Sequence, residues 1–104
     1  MFIIIPRGFS LSLKELKLTN EEALKVARVL SSETNVKILH LLSKEQLDVS
    51  TIAKRLKLSE AYASGKVSKL EKLGLINVSY APGKRGIRKI CELAVGKVTI
   101  VIKT

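Results

Sequence analysis

Tryptophan is absent from this chain, and aromatic residues supply only 4% of its 104 positions. A core drawn from its 46% apolar residues is therefore aliphatic. Cysteine occurs once, as Cys91, which excludes an intramolecular disulfide framework. A reducing, cytoplasmic compartment is the expectation. Histidine also occurs once, as His40. These two soft ligands fall in different predicted elements, so no metal site is expected. Long apolar runs are missing too. Phe2 to Ile5 is far too short for a signal peptide or a membrane span, and no basic segment precedes it. There is no P-loop and no dinucleotide fingerprint, and nothing sets a base beside a nucleophile. Neither an enzyme nor a cofactor is expected. Glutamine is limited to Gln46 in a Lys- and Ile-rich chain, a usage that leans toward a thermophile.

Acidic residues are the scarcest charged class. Nine face 19 Lys and Arg, for a net charge of +10. The excess is not spread evenly. Residues 1–52 carry seven basic and six acidic side chains, whereas residues 53–104 carry twelve basic and three acidic. A solvated, Lys-rich surface would not divide this way. A polyanion facing the second half would, with nucleic acid as the first candidate and no membrane partner.

One domain is expected at this length. Residues 1–18 read as an N-terminal strand or arm that packs on the domain or on a partner subunit. Phe2-Ile3-Ile4-Ile5 ends at Pro6-Arg7-Gly8 as a strand and turn. Phe9, Leu11 and Leu13 then alternate with Ser10 and Ser12, while Ser12 with Glu15 fits a capping box. Strand and helical turn compete there. Within residues 19–104, Thr19 with Glu22 is a cleaner capping box. Ala23, Val26, Ala27 and Leu30 follow as one helical stripe, predicting a helix over 20–30. Ser32 caps a second helix whose Val36, Ile38, Leu39, Leu41 and Leu42 cover most of its circumference, as in a buried central helix. Ser50 is the expected N-cap of a third helix with Ile52, Ala53 and Leu56 inward. Lys57-Leu58 makes a turn. Ser59 caps a fourth helix, Glu60 sits at its positive end, and Gly74 stops it.

The stretch after that helix alternates. Ile76, Val78 and Tyr80 point one way, the residues 81–86 form a turn with two glycines and two cations, and Ile87 to Val95 returns. That is a β-hairpin with a basic tip. Val98 to Ile102 reads as a further strand. The fold class is thus α+β, about four helices with a β-hairpin wing and extra terminal strands.

Val49 to Ile76 contains the chemistry. Around the fourth helix, Ala63, Val67 and Leu70 form the core face. The opposite arc holds Ala61, Tyr62, Gly65, Ser68, Lys69 and Lys72, with Lys66 on the flank and Ser59 and Ser64 near the start. Short side chains, hydroxyls and long cations suit a helix entering a DNA major groove. Gly65 has two readings, close passage along the groove or close helix packing. Lys54, Arg55 and Lys57 fall where such a motif crosses the phosphate backbone. Lys84 and Arg85 form the wing tip, with Arg88 and Lys89 behind it. Between Lys54 and Lys89 lie ten bases and two acids.

These segments resemble the winged helix-turn-helix of the ArsR/MarR-type regulators. The residues that carry the likeness are A-R-V-L-S-S-E-T-N-V-K-I-L-H-L-L, V-S-T-I-A-K-R-L-K-L-S and A-S-G-K-V-S-K-L-E-K-L-G-L-I. They follow the family's R-x-x-I-L-x-L-L, L-A-x-x-L-x-L-S and V-S-x-H-L-x-x-L-x-x-x-G-L-V patterns almost without gaps over about half the chain. The resemblance implies a dimeric, sequence-specific regulator of transcription that binds double-stranded DNA, associated with the nucleoid. Low-specificity architectural DNA binding, and a protein- or RNA-interaction module, are the other readings. Metal-sensing members carry Cys-Val-Cys at the start of the third helix. Asp48 and Ser50 stand there instead, around Val49, so that chemistry is not implied. Cys91 reads as a buried strand residue, against an intersubunit disulfide or a redox sensor. The family's C-terminal dimerisation helix has no counterpart in the strand-like Val98 to Ile102. The strands at Phe2 to Ile5 and Val98 to Ile102 are the candidate dimer surfaces, paired within or between subunits.

Overall fold

Local signals in the sequence are strong enough to place four helices, and four helices form among the described residues. The computed structural model describes residues 13–103. The elements are β1 (Lys14–Leu18), α1 (Asn20–Leu30), α2 (Glu33–Leu42), β2 (Leu47–Asp48), α3 (Val49–Leu56), α4 (Glu60–Lys72), β3 (Ile76–Gly83), β4 (Gly86–Leu93) and β5 (Val95–Ile100). The fold is α+β.

α1 has the expected bounds but not the expected entry. Thr19 has extended N-cap dihedrals and its side chain makes no capping bond. Leu18, buried just before it, ends a strand paired to β5, and that pairing directs the chain into the helix. The inward row is Ala23, Val26 and Val29, while Ala27 is exposed and Leu30 half-buried. Turning Val29 rather than Ala27 inward buries the larger apolar side chain. Ser32 caps α2, accepting the Asn35 N–H at 3.4 Å. Asn35 is itself buried and donates from Nδ2 to the Val29 carbonyl at 3.0 Å, tying α1 to α2. Ile38 and Leu42 are the fully buried residues of α2, Leu39 and Leu41 are half-buried, and His40 is exposed.

The cap of α3 corrects the sequence reading. Asp48, not Ser50, accepts the Thr51 N–H at 2.8 Å, and Val49 is buried as the first helical residue. Starting two residues earlier puts Val49 in the core as the first helical residue, a gain that a Ser50 cap would forfeit. Lys57 takes the left-handed conformation that ends α3. Ser59 caps α4, accepting the Tyr62 N–H at 3.1 Å. At the far end, Leu75 donates to the Leu70 carbonyl at 3.0 Å and Gly74 to Glu71 at 2.9 Å, with Gly74 at φ +78°. This Schellman closure needs the left-handed residue, which glycine takes without Cβ strain.

β3 and β4 pair antiparallel from Ile76↔Leu93 to Gly83↔Gly86. The expected six-residue turn is therefore only Lys84-Arg85, and Ala81 and Pro82 belong to the strand. A Cβ on Gly83 would stand 2.4 Å from the Arg88 Cγ, so glycine there lets Arg88 cross the hairpin. β2 adds to the other side of β4, giving the order β2-β4-β3. β5 starts three residues earlier than expected and pairs parallel with β1 within the chain. The Thr99 hydroxyl donates to Glu15 across this pair, which resolves the strand-or-turn ambiguity around Glu15 in favour of a strand. Parallel pairing needs a long connection, and here the helices and the hairpin all lie between the two strands. The Phe2 to Ile5 strand lies outside the described residues, as does Ser12.

The core is aliphatic. Val26, Ile38, Leu42, Ile52, Val67, Leu70, Leu75, Ile76 and Cys91 are its most enclosed side chains.

Candidate nucleic-acid interface

α4 buries Ala63, Val67 and Leu70 and turns its other side outward. Ala61, Tyr62, Gly65, Lys69 and Lys72 are exposed, and Ser64, Lys66 and Ser68 half-buried. Tyr62 is 48% exposed with the Lys66 Nζ 5.3 Å from its ring centroid, a cation–π contact that places both on the outer face. Around Gly65 a Cβ would meet nothing within 4 Å. Among the described residues no element lies against Gly65, so the helix-packing reading finds no support there.

The hairpin stands beside the start of α4. Between them is an open cleft of about 530 Å³, with Ala61 and Ser64 on one wall and Arg85, Ile87 and Lys89 on the other. A second hollow shares Asp48, Ser50, Glu60, Arg85 and Arg88 with it and adds Lys54 and Lys84. Lys54, the wing tip and the first turn of α4 thus face one space. Lys57 lies in the α3–α4 turn. Lys69 and Lys72 extend the basic face toward the far end of α4, about 16 Å along the axis from Ala61.

Four of the ten cations are engaged within the protein, Lys66 through the Tyr62 ring and three through hydrogen bonds. Arg55 donates to Glu45 at 2.7 Å. Arg88 donates from Nε to Asp48 at 2.9 Å. Lys89 donates to the Ser68 hydroxyl at 3.3 Å, linking β4 to α4. Arg88 and Lys89, read from sequence as an extension of the wing tip, instead act as its struts, one to each helix of the helix-turn-helix. Lys54, Lys57, Lys69, Lys72, Lys84 and Arg85 enter no ion pair or hydrogen bond among the described residues.

Asp48 is the pivot of this arrangement. It caps α3 and anchors the wing through Arg88. Hydrogen bonds from the Thr51 side chain first, then the Thr51 N–H and Arg88, outweigh burial and hold its carboxyl below the usual carboxylate value. The stability tied to that carboxylate is therefore present above its unfolded-state pKa and is lost as pH falls through the lower folded value. Asp48→Asn keeps a good cap and loses the ion pair, so it costs less than about 1 kcal/mol at pH 7. Asp48→Ala loses both and costs about 1–2 kcal/mol. Urea unfolding of the two variants checks the order; equal losses would place the whole effect in the ion pair.

Sequence reasoning missed the cleft role of Asp48, Ser50 and Glu60. Ser50 donates to a Glu60 carboxylate oxygen at 2.7 Å. The available signal was that both residues begin helices joined by a three-residue connection, which brings two helix starts together. Cys91 is fully buried in β4, and burial pushes its thiol up to about 11. Thiolate chemistry, which redox sensing requires, is suppressed there. His40 is exposed on α2. Among the described residues no three His, Cys, Asp or Glu side chains cluster as a metal site, and no helix is long and apolar enough to cross a membrane.

Three helices feeding a fourth, with a basic hairpin alongside its start, define a winged helix-turn-helix. More particularly, residues 32–78 match the family model described as bacterial regulatory protein, arsR family. Solved winged-helix structures agree in fold. Reduced HlyU from Vibrio cholerae N16961 superposes with a TM-score of 0.62 at 23% identity, covering 72% of this chain and 75% of that one. The homodimeric winged helix-turn-helix DNA-binding domain Mb0332 from Mycobacterium bovis gives 0.62 at 23%, covering 71% and 65%. A ZitR variant from Lactococcus lactis gives 0.52 at 30%, covering 60% and 42%. No curated protein matches the sequence.

Proposed function

We propose that this protein is a dimeric transcriptional regulator that binds double-stranded DNA with sequence preference, and that α4 is its reading helix. The observation that carries the reading is the outward arc of α4. Among the described residues it is uncovered, and it is short-chained at Ala61, Ser64 and Gly65, cationic at Lys69 and Lys72, and continuous with a basic wing. Direct base contacts fall to Tyr62, Ser64 and Lys69, close backbone approach to Gly65, and phosphates to Lys54, Lys57, Lys72, Lys84 and Arg85. Lys66 and Ser59 flank them, and Ser68, Arg55, Arg88 and Lys89 act by holding neighbours. A two-fold dimer reads half-sites about one helical turn apart. The interaction-module reading would be favoured by another element covering the outer face of α4, where Ala61, Tyr62 and Gly65 are exposed. No catalytic group and no metal enters this reading, and its place of work is the nucleoid.

Selection of binding sites from random duplex DNA tests it. An enriched pseudo-palindrome is the expected result. Binding without any enriched sequence would leave a low-specificity architectural protein. Gly65→Ala separates folding from reading. It stabilises the helix by up to about 1 kcal/mol, since nothing obstructs the added methyl. It also lowers affinity for the selected duplex, because the methyl points into the groove. A rise in both melting temperature and affinity would remove Gly65 from the interface.

A further inference from the structure

We infer that Glu60 is a specificity-determining residue that reads the amino edge of a cytosine in the major groove, with Ser50 as its positioning residue. The inference rests on the DNA-reading role proposed for α4 and adds a base preference to it.

Glu60 is the first residue of α4, is exposed, and lines both hollows between the helix start and the wing. In a helix-turn-helix the N-terminal residues of the reading helix meet the base edges. The surrounding face is cationic, with Lys54, Lys84, Arg85 and Arg88 along the same cleft. Two acids share that cleft, and their situations differ. Asp48 is matched by Arg88 and by the capping N–H of Thr51. Glu60 takes part in none of the ion pairs among the described residues. Its partner is the Ser50 hydroxyl, which occupies Oε1 at 2.7 Å.

A carboxylate without a cation opposes binding if it faces phosphate. Facing base edges, it selects. It is an acceptor only, so guanine O6 and N7 and thymine O4 repel it; adenine sets an N7 acceptor beside its N6–H₂ donor, whereas cytosine presents N4–H₂ with no acceptor of its own beside it. The Ser50 bond orders the side chain before DNA arrives and leaves Oε2 to accept from the base. Less conformational entropy is then lost on binding. A role confined to the positive end of the α4 dipole would ask for the charge but not for the Ser50 bond. It would also give no base preference.

The test is site selection from random duplex with wild type, Glu60→Gln and Ser50→Ala, each checked by circular dichroism for native helix content. Wild type is expected to enrich a fixed C·G pair in each half-site, and replacing that cytosine to weaken binding about five- to hundredfold. Glu60→Gln is expected to lose the preference at that position alone, or move it to adenine, while binding non-cognate duplex more tightly. Ser50→Ala is expected to weaken discrimination there without changing the preferred base. If wild type enriches a site and Glu60→Gln enriches the same bases throughout, Glu60 does not read, and the regulator proposal stands. If wild type enriches no sequence, the regulator proposal falls and takes this inference with it.

Discussion

Lys84→Ala combined with Arg85→Ala lowers affinity for every duplex by about thirtyfold near 0.15 M salt and flattens the log–log salt dependence by about 2 units. The expectation follows from counterion release, in which each neutralised phosphate contributes about 0.9 to the slope and roughly fivefold in affinity at that salt. Both residues form the two-residue turn between paired Gly83 and Gly86, both are exposed, and neither is matched by an acid among the described residues. With about six such cations on the face, the wild-type slope is about −5. Arg88→Ala behaves differently. Its charge is already matched by Asp48, so the slope changes little while the wing loses its strut. Fluorescence anisotropy with labelled duplexes from about 50 to 200 mM salt measures both quantities. If the double variant and wild type bind equally at low salt, the wing makes no phosphate contact.

Leu70→Ala has the largest expected effect on the fold, a loss of about 3–4 kcal/mol. Leu70 is fully buried on the core side of α4, between Val67 and the Schellman closure formed by its own carbonyl with Leu75. Truncation removes the transfer free energy of three carbons and leaves a cavity, for which losses of about 2–5 kcal/mol are usual. A domain of this size holds only about 5–15 kcal/mol in total, so the melting temperature falls by about 15 °C or more. Leu24→Ala is the control, since Leu24 is 58% exposed on α1 and its truncation leaves no cavity. Thermal unfolding followed by circular dichroism compares them. A loss below about 1 kcal/mol at Leu70 would mean that the core collapses around the missing side chain.

Much of the reading unit was legible because its signals are local. Ser32, Ser59 and Gly74 act within one turn of themselves, and helix starts and stops there matched expectation. The inward row Ala63, Val67 and Leu70 is a matter of 100° steps along one helix. The choice between Ser50 and Asp48 as cap was not legible. Both residues can cap, and the decision came from burying Val49 and from Arg88, forty positions away. The partners of Arg55 and Lys89 were hidden for the same reason, since Glu45 and Ser68 meet them only across the fold.

By itself, the sequence determined four helices, a two-cation hairpin tip, the concentration of charge in the second half and the outward chemistry of α4. These depend on residues close enough along the chain to act on one another before anything else is in place. Tertiary structure decided which cations remain available, that Asp48 anchors both a helix and the wing, that β5 closes on β1, and that Glu60 stands in the cleft held by Ser50. Each of these joins elements separated by a turn or by most of the chain. Their energies depend on relative placement, which only the packed core around Ile38, Ile52, Leu70 and Cys91 supplies.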